Sequence, residues 1–257
     1  MSDRRRGVPR ANGQGMNGER TPGLAGGGPG TPGFLARRDF ARDRLDSITG
    51  AKGGEREDRS AWFRAVYESA ARDAAAVPWA DLAPKQALSD WLADNPGEGR
   101  RALDVACGLG DNAEELAGAG YRTTAFDLAP EAVAWARERF PESAVDYRAA
   151  DLFNLPAEWD GHFDLVHECY TLQALDGALR ATAFPALARL VAPGGRLLVI
   201  TRTRPEGADV DGPPWPLTPQ ELARFDALGF TREEATPYEI VKGERVIPHV
   251  RAVFSRR

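Results

Sequence analysis

The run Asp104-Val105-Ala106-Cys107-Gly108-Leu109-Gly110 sets an acid four residues ahead of the first of two closely spaced glycines. Glycines at this spacing let the backbone approach a ligand with no Cβ in the way. A helix starting behind them keeps its first N–H groups free to bind that ligand. Gly108-Leu109-Gly110-Asp111-Asn112-Ala113 also fits the dinucleotide fingerprint. The glycines alone therefore leave a nicotinamide dinucleotide and S-adenosylmethionine both open, and the acids separate the two. A carboxylate at Asp104 suits an ammonium group and repels a pyrophosphate, and Asp111 is equally ill placed for a pyrophosphate. Asp127 can accept from both hydroxyls of a ribose, and Asp151 from an adenine amino group. Each acid alone has an ordinary alternative as a helix cap or a solvated loop residue. Three acids at three successive strands fit a nucleoside ligand with a free amino group better.

The elements that must position these residues follow from periodicity. Residues 102–106, 123–126, 144–148, 163–167 and 196–200 are short apolar runs that read as buried strands. Between them lie helices predicted over 111–118, from Pro130 onward and over 177–190. Strands alternating with helices imply βαβ units and a parallel sheet, with helices on both faces. Ligands in such sheets sit beyond the carboxyl ends of the strands, where every acid named above falls. Pro193-Gly194-Gly195 reads as a turn into the fifth strand. After a helix near 219–228, runs at 231–240 and 246–254 flank Lys242-Gly243-Glu244 and read as an antiparallel hairpin at the sheet edge. The fold expected is α/β: a Rossmann-like, doubly wound, seven-stranded and mostly parallel sheet with an antiparallel last strand.

Composition bounds the rest. The 257 residues carry a net charge of −5, so no basic excess points to a nucleic-acid partner. Two cysteines cannot build a disulfide framework, and no run approaches the ~20 apolar residues of a membrane span. With no apolar segment behind the first arginines to read as a secretory signal, a cytoplasmic protein with no membrane partner is expected. Residues 1–55 read as a disordered arm rich in Gly, Pro and Arg, either a solvated tail or a basic arm for a partner. Residues 56–257 read as one domain, with a helical lid over 56–95 and the sheet over 100–257.

Asp104-Val105-Ala106-Cys107-Gly108-Leu109-Gly110 resembles the first motif of class I S-adenosylmethionine-dependent methyltransferases. Asp127-Leu128 resembles their ribose-binding acid and Asp151-Leu152 their adenine-binding pair. Phe163-Asp164-Leu165-Val166 and Pro193-Gly194-Gly195-Arg196-Leu197 resemble the later motifs. The resemblance spans roughly residues 100–200. It implies S-adenosyl-L-methionine as cofactor, held by Asp104, Ala106, Cys107, Gly108, Gly110, Asp127, Leu128, Asp151, Leu152 and His167. It also implies a small-molecule methyl acceptor. A narrower resemblance links Trp62, Tyr67, Val77-Pro78-Trp79, Gly212-Pro213-Pro214-Trp215 and the last strand to the thiopurine, thiol and halide methyltransferase branch, which implies a thiol acceptor. An NAD(P)-dependent oxidoreductase and a non-catalytic S-adenosylmethionine-binding protein are the other readings.

On the acceptor side the fourth strand runs out through His167-Glu168-Cys169-Tyr170. His167 and Glu168 are candidate general bases if the nucleophile arrives protonated; contacting the cofactor or capping the next segment is the alternative. Cys169 and Tyr170 are expected to touch the acceptor. Trp62 and Trp79 would do so from a lid, since a sulfonium favours aromatic faces, or would pack as plain core. Cys107 and Cys169 follow neighbouring strands and read as small buried residues. His249 and Arg251 read as an outward-facing pair on an edge strand. The three histidines lack paired-ligand spacing, so no metal is expected.

Overall fold

The computed structural model describes residues 28–257. Seven strands form one sheet in the order β3-β2-β1-β4-β5-β7-β6. They are β1 (Arg101–Val105), β2 (Arg122–Asp127), β3 (Asp146–Ala149), β4 (Phe163–Cys169), β5 (Val191–Arg202), β6 (Phe230–Lys242) and β7 (Arg245–Arg256). The first five pair in parallel, and β7 runs antiparallel between β5 and β6. The chain order reverses between β1 and β4, which makes their carboxyl ends the topological switch point, where ligands bind in sheets of this kind.

Alternation along the strands gives each face its own core. Leu103 and Val105 of β1, Val166 of β4 and Leu197 and Val199 of β5 pack with Phe184 and Leu187 of helix α6 (Gly177–Ala188). Ala102, Leu165, Leu198 and Ile200 point the other way, toward Leu88, Trp91 and Leu92 of α3 (Gln86–Asp94) and Leu116 of α4 (Asp111–Gly118). Helix α5 (Pro130–Arg139) lies beside α4 on that second face and buries Val133 and Ala136.

Three features depart from the expectations. Of the arm expected over 1–55, residues 1–27 lie outside the described residues, but α1 (Pro32–Leu45) is an ordered helix. Thr31 caps it and Pro32 opens it. Its few apolar residues suffice because Phe34 and Leu45 are buried and Arg38 reaches in to donate to the Val77 carbonyl at 3.4 Å and to that of Ala80. Second, Pro193-Gly194-Gly195 does not precede β5 but lies inside it. Pairing to β4 skips from Phe163↔Val191 to Leu165↔Arg196, and the extra residues form a bulge with Gly194 at φ +73°. Third, β7 is an interior strand, because the hairpin turns outward and leaves β6 at the edge. Among the described residues no helix is long and apolar enough to cross a membrane.

Candidate functional site

The loop between β1 and α4 is pinned from β2. Asp127, the last residue of β2, accepts from Gly108 N at 2.9 Å with Oδ2 and from Ala129 N at 2.9 Å with Oδ1. Burial pushes its carboxyl up to about 6, against the pull of those backbone donors. Ala106 is the exposed point of the otherwise buried run 102–110 and stands at φ +52°. A left-handed turn there and at Gly108 (φ +56°) folds the backbone outward. A Cβ on Gly108 would meet only Tyr67 Oη at 3.2 Å, so the loop is open on its other side. Gly110 is different. At φ +91° its missing Cβ faces the protein, 2.5 Å from Tyr147 Oη. Gly110 thus serves packing, while Ala106 is exposed and the space beside Gly108 is bounded by the Tyr67 hydroxyl alone.

The other acids have partners that periodicity does not reveal. Asp104 Oδ1 binds His167 Nδ1 at 2.7 Å across the β1–β4 pairing, with both residues buried. Asp104 Oδ2 and His167 Nε2 are enclosed and have no partner among the described residues. Asp111 is held by Arg139 through both oxygens, at 2.8 and 2.7 Å, which offsets the charge expected to repel a pyrophosphate. Asp151 caps the turn Leu152–Asn154 through Phe153 N at 2.9 Å, and its Oδ2 meets Arg56 at 2.5 Å. Leu152 is buried in the α6-side core, and Leu128 is half-buried beside Asp127.

Of the two expected bases, Glu168 accepts from Leu172 N at 2.9 Å and caps the segment after β4. Enclosure raises its carboxyl to about 7. His167 has no exposure at all, and its Nδ1 is spent on Asp104. The geometry thus joins His167 to the glycine-loop strand and Glu168 to the next turn, not to an acceptor. The two cysteines are free, and burial pushes both thiols above the usual range.

Helix α2 (Arg56–Ala70) lies over the strand ends. Trp62 is buried and donates to the Leu45 carbonyl at 3.0 Å, which makes it core rather than an acceptor contact. Trp79 donates to Tyr67 Oη at 2.7 Å, above Gly108. Arg59 fixes the whole layer. It is buried against the faces of Trp62 and Phe63, each 4.4 Å from the ring centroid. It donates to the carbonyls of Gly50 (2.7 Å), Ala51 (3.1 Å) and Ala174 (2.9 Å). Sequence reasoning missed Arg56 and Arg59; their only signal is two arginines one turn apart, with Trp62 and Phe63 one turn further on along the face of Arg59.

Beyond β4 the chain turns sharply at Tyr170, whose φ of +69° is a strained value for a bulky residue, costing of order 1–3 kcal/mol. That turn aims its hydroxyl at His249 Nε2, 3.0 Å away. His249 Nδ1 lies 2.8 Å from the Ile247 carbonyl, which can only accept, so Nδ1 carries the proton and Nε2 accepts from Tyr170. His249 is buried, contrary to the outward position expected, because β7 is interior. Arg251 is drawn off to Glu234 of β6. Cys169 is half-buried against the α3-side core that contains Leu165, Leu198 and Ile200.

Residues 102–195 match the family model for a methyltransferase domain. Over these residues the chain carries a methyltransferase domain. An ubiquinone biosynthesis O-methyltransferase of Xanthomonas oryzae pv. oryzae is 43% identical over 113 residues, covering 43% of this chain and 46% of that protein. One of the same name from Aromatoleum aromaticum is 36% identical over 118 residues, covering 45% and 50%. The chain thus spans about half the length of the curated relatives it matches. In fold it is similar to Burkholderia thailandensis 1,6-didemethyltoxoflavin-N1-methyltransferase, solved with S-adenosylhomocysteine (TM-score 0.62, 20% identity, covering 79% of this chain and 91% of that one). The N-methyltransferase NodS of Bradyrhizobium japonicum, also with S-adenosylhomocysteine, gives a TM-score of 0.58 at 20% identity, covering 76% and 97%.

Proposed function

We propose that this protein transfers a methyl group from S-adenosylmethionine to a hydroxyl oxygen of a small molecule. The observation that carries the reading is Asp127. It is an ionisable carboxylate at the end of β2, clasped to Gly108 beside the one exposed point of the loop. Each of its oxygens accepts one N–H and keeps a lone pair for a ribose hydroxyl. Gly108 and Ala106 would flank the amino-acid part, and Asp151-Leu152 the adenine. Asp104, held by His167, would act from beneath the loop rather than by direct contact. The bound sulfonium supplies an electrophilic methyl group with a good leaving group.

The names of the curated relatives support oxygen as the acceptor over the thiol suggested by the narrower resemblance. An oxygen acceptor must lose a proton as its new bond forms. Tyr170 and His249 can take it: the hydroxyl of Tyr170 receives the acceptor's proton as it passes its own to His249 Nε2. Burial lowers the basicity of His249, so Nε2 is unprotonated before the transfer and releases the proton readily after it. Most of the acceleration comes from alignment, up to ~7–11 kcal/mol in well-oriented systems. Calorimetry tests the cofactor. Binding of S-adenosylhomocysteine without binding of NAD is expected; binding of NAD alone would replace this reading with an oxidoreductase, and cofactor binding with no turnover on any acceptor would make the protein a sensor.

A further inference from the structure

Arg202, His249 and Tyr238 form a row across β5, β7 and β6. Arg202 is the direct partner of His249, and His249 of Tyr238. Directly opposed residues of antiparallel strands point to the same face about 4.5–5.5 Å apart, and the rings of Tyr238 and His249 stack with centroids 5.2 Å apart. Tyr170 closes one side of the row through its bond to His249. Lys85 stands beside Tyr170, with Nζ 4.6 Å from the centre of the Tyr170 ring. The backbone N–H of Lys85 donates to Asn112 Oδ1 at 2.9 Å, and Asn112 is the second residue of α4. The row is therefore tied, through Lys85, to the start of α4 just behind the glycine loop.

The charges in this corner do not balance. Lys85 pairs with Asp81, and Arg38 reaches the same carboxylate at 3.9 Å. Lys242 at the end of β6 and Arg202 also draw on Asp81. Arg202 makes no side-chain hydrogen bond or ion pair among the described residues, and its Nε is enclosed without a partner. An enclosed guanidinium N–H with nothing to donate to is costly. A fork of donors beside a point charge fits a planar carboxylate.

We propose that the row Arg202–His249–Tyr238, with Lys85, is an acceptor subsite for a carboxylate-bearing aromatic molecule. The carboxylate would lie on Arg202 and Lys85, the ring against Tyr238 and His249, and the hydroxyl to be methylated toward Tyr170. This rests on the methyltransferase reading above and adds the class of its substrate. Arg202 would be a specificity-determining residue.

The test uses the full chain loaded with S-adenosylhomocysteine. Benzoate and three hydroxybenzoates are compared with their amides by ligand-observed NMR and calorimetry. Each carboxylate is expected to bind at least tenfold more tightly than its amide. Arg202→Gln should abolish that preference while leaving S-adenosylhomocysteine affinity within twofold. Lys85→Met should reduce the preference severalfold, which keeps the test alive should Arg202→Gln fail to fold. If no carboxylate outbinds its amide, or if Arg202→Gln and Lys85→Met both keep the preference, the subsite is overturned. Absence of S-adenosylhomocysteine binding in the unmodified protein would instead overturn the cofactor reading.

Discussion

Replacing Asp127 with asparagine separates two roles that one side chain combines. In the folded protein the carboxyl titrates near 6, against an ordinary value of 3.8. Folding therefore favours the protonated form. The stability this confers is fully present below the unfolded value and is lost as pH rises through about 6. At ~1.4 kcal/mol per unit, the loss is about 3 kcal/mol by pH 8. The amide introduced by Asp127→Asn would not titrate, but it has one acceptor oxygen for two N–H donors. Either Gly108 N or Ala129 N is then left facing an amide donor, at a cost of about 1–3 kcal/mol. At pH 8 the two effects oppose each other and leave the variant about 0–2 kcal/mol the more stable. At pH 4 only the second remains, so the unmodified protein should lead by that amount. Urea denaturation from pH 4 to 8 reads the difference. Binding reads the other role: a charge-assisted bond to ribose is worth about 1.5–3 kcal/mol, so Asp127→Asn should lower S-adenosylhomocysteine affinity roughly 10- to 100-fold at pH 8. Affinity within twofold, in a variant that still unfolds cooperatively, would remove Asp127 from the cofactor site. A stability difference that stays flat across pH would refute the raised titration.

Three further outcomes follow from individual contacts. Glu168 titrates near 7 instead of 4.5, so its burial costs up to ~3 kcal/mol once it ionises; Glu168→Gln keeps an oxygen for Leu172 N and should be more stable at pH 8 but not at pH 4, by urea denaturation. Gly110→Ala adds a Cβ 2.5 Å from Tyr147 Oη at a φ of +91°, and should destabilise by about 2–4 kcal/mol. Tyr147→Phe in the same chain should recover only part of the lost melting temperature, because the ring carbon stays 3.1 Å away. Arg59→Met orphans the carbonyls of Gly50, Ala51 and Ala174 and should cost about 2–5 kcal/mol. Limited proteolysis should then cut between α1 and α2, and an unchanged digest would show that Arg59 does not hold this layer.

The sheet is readable in the sequence because its signals are local. Five parallel strands of alternating or continuous apolar residues, joined by helices, leave few topologies once crossovers are right-handed. The terminal hairpin is equally plain, but nothing in Thr231–Ile240 or Val246–Phe254 says which strand meets β5. That choice buries His249 and leaves the outer strand, β6, exposed along most of its length. Helix α1 escapes sequence reasoning for the opposite reason. Its composition is polar, and its stability comes from Phe34, Leu45 and the snorkelling Arg38, whose partners Val77 and Ala80 lie some forty residues away.

For the site, spacing identifies where acids stand but not what they touch. Asp127 falls beside the loop it is expected to serve because the two are on adjacent strands, and adjacency follows from topology. The partner of Asp104 depends on register: one residue of slip between β1 and β4 would turn His167 to the opposite face and bring Glu168 beside Asp104. Register also bears on the proposed proton acceptor. His167 and Glu168 look poised for catalysis in sequence because they precede the acceptor segment, but they lie within β4, where enclosure fixes them. Tyr170, the first residue beyond the strand, is strained into an orientation that only a histidine from the far end of the chain makes useful. Tyr170 combines an unfavourable backbone conformation with a contact 79 positions away, a pairing that no window of the sequence contains.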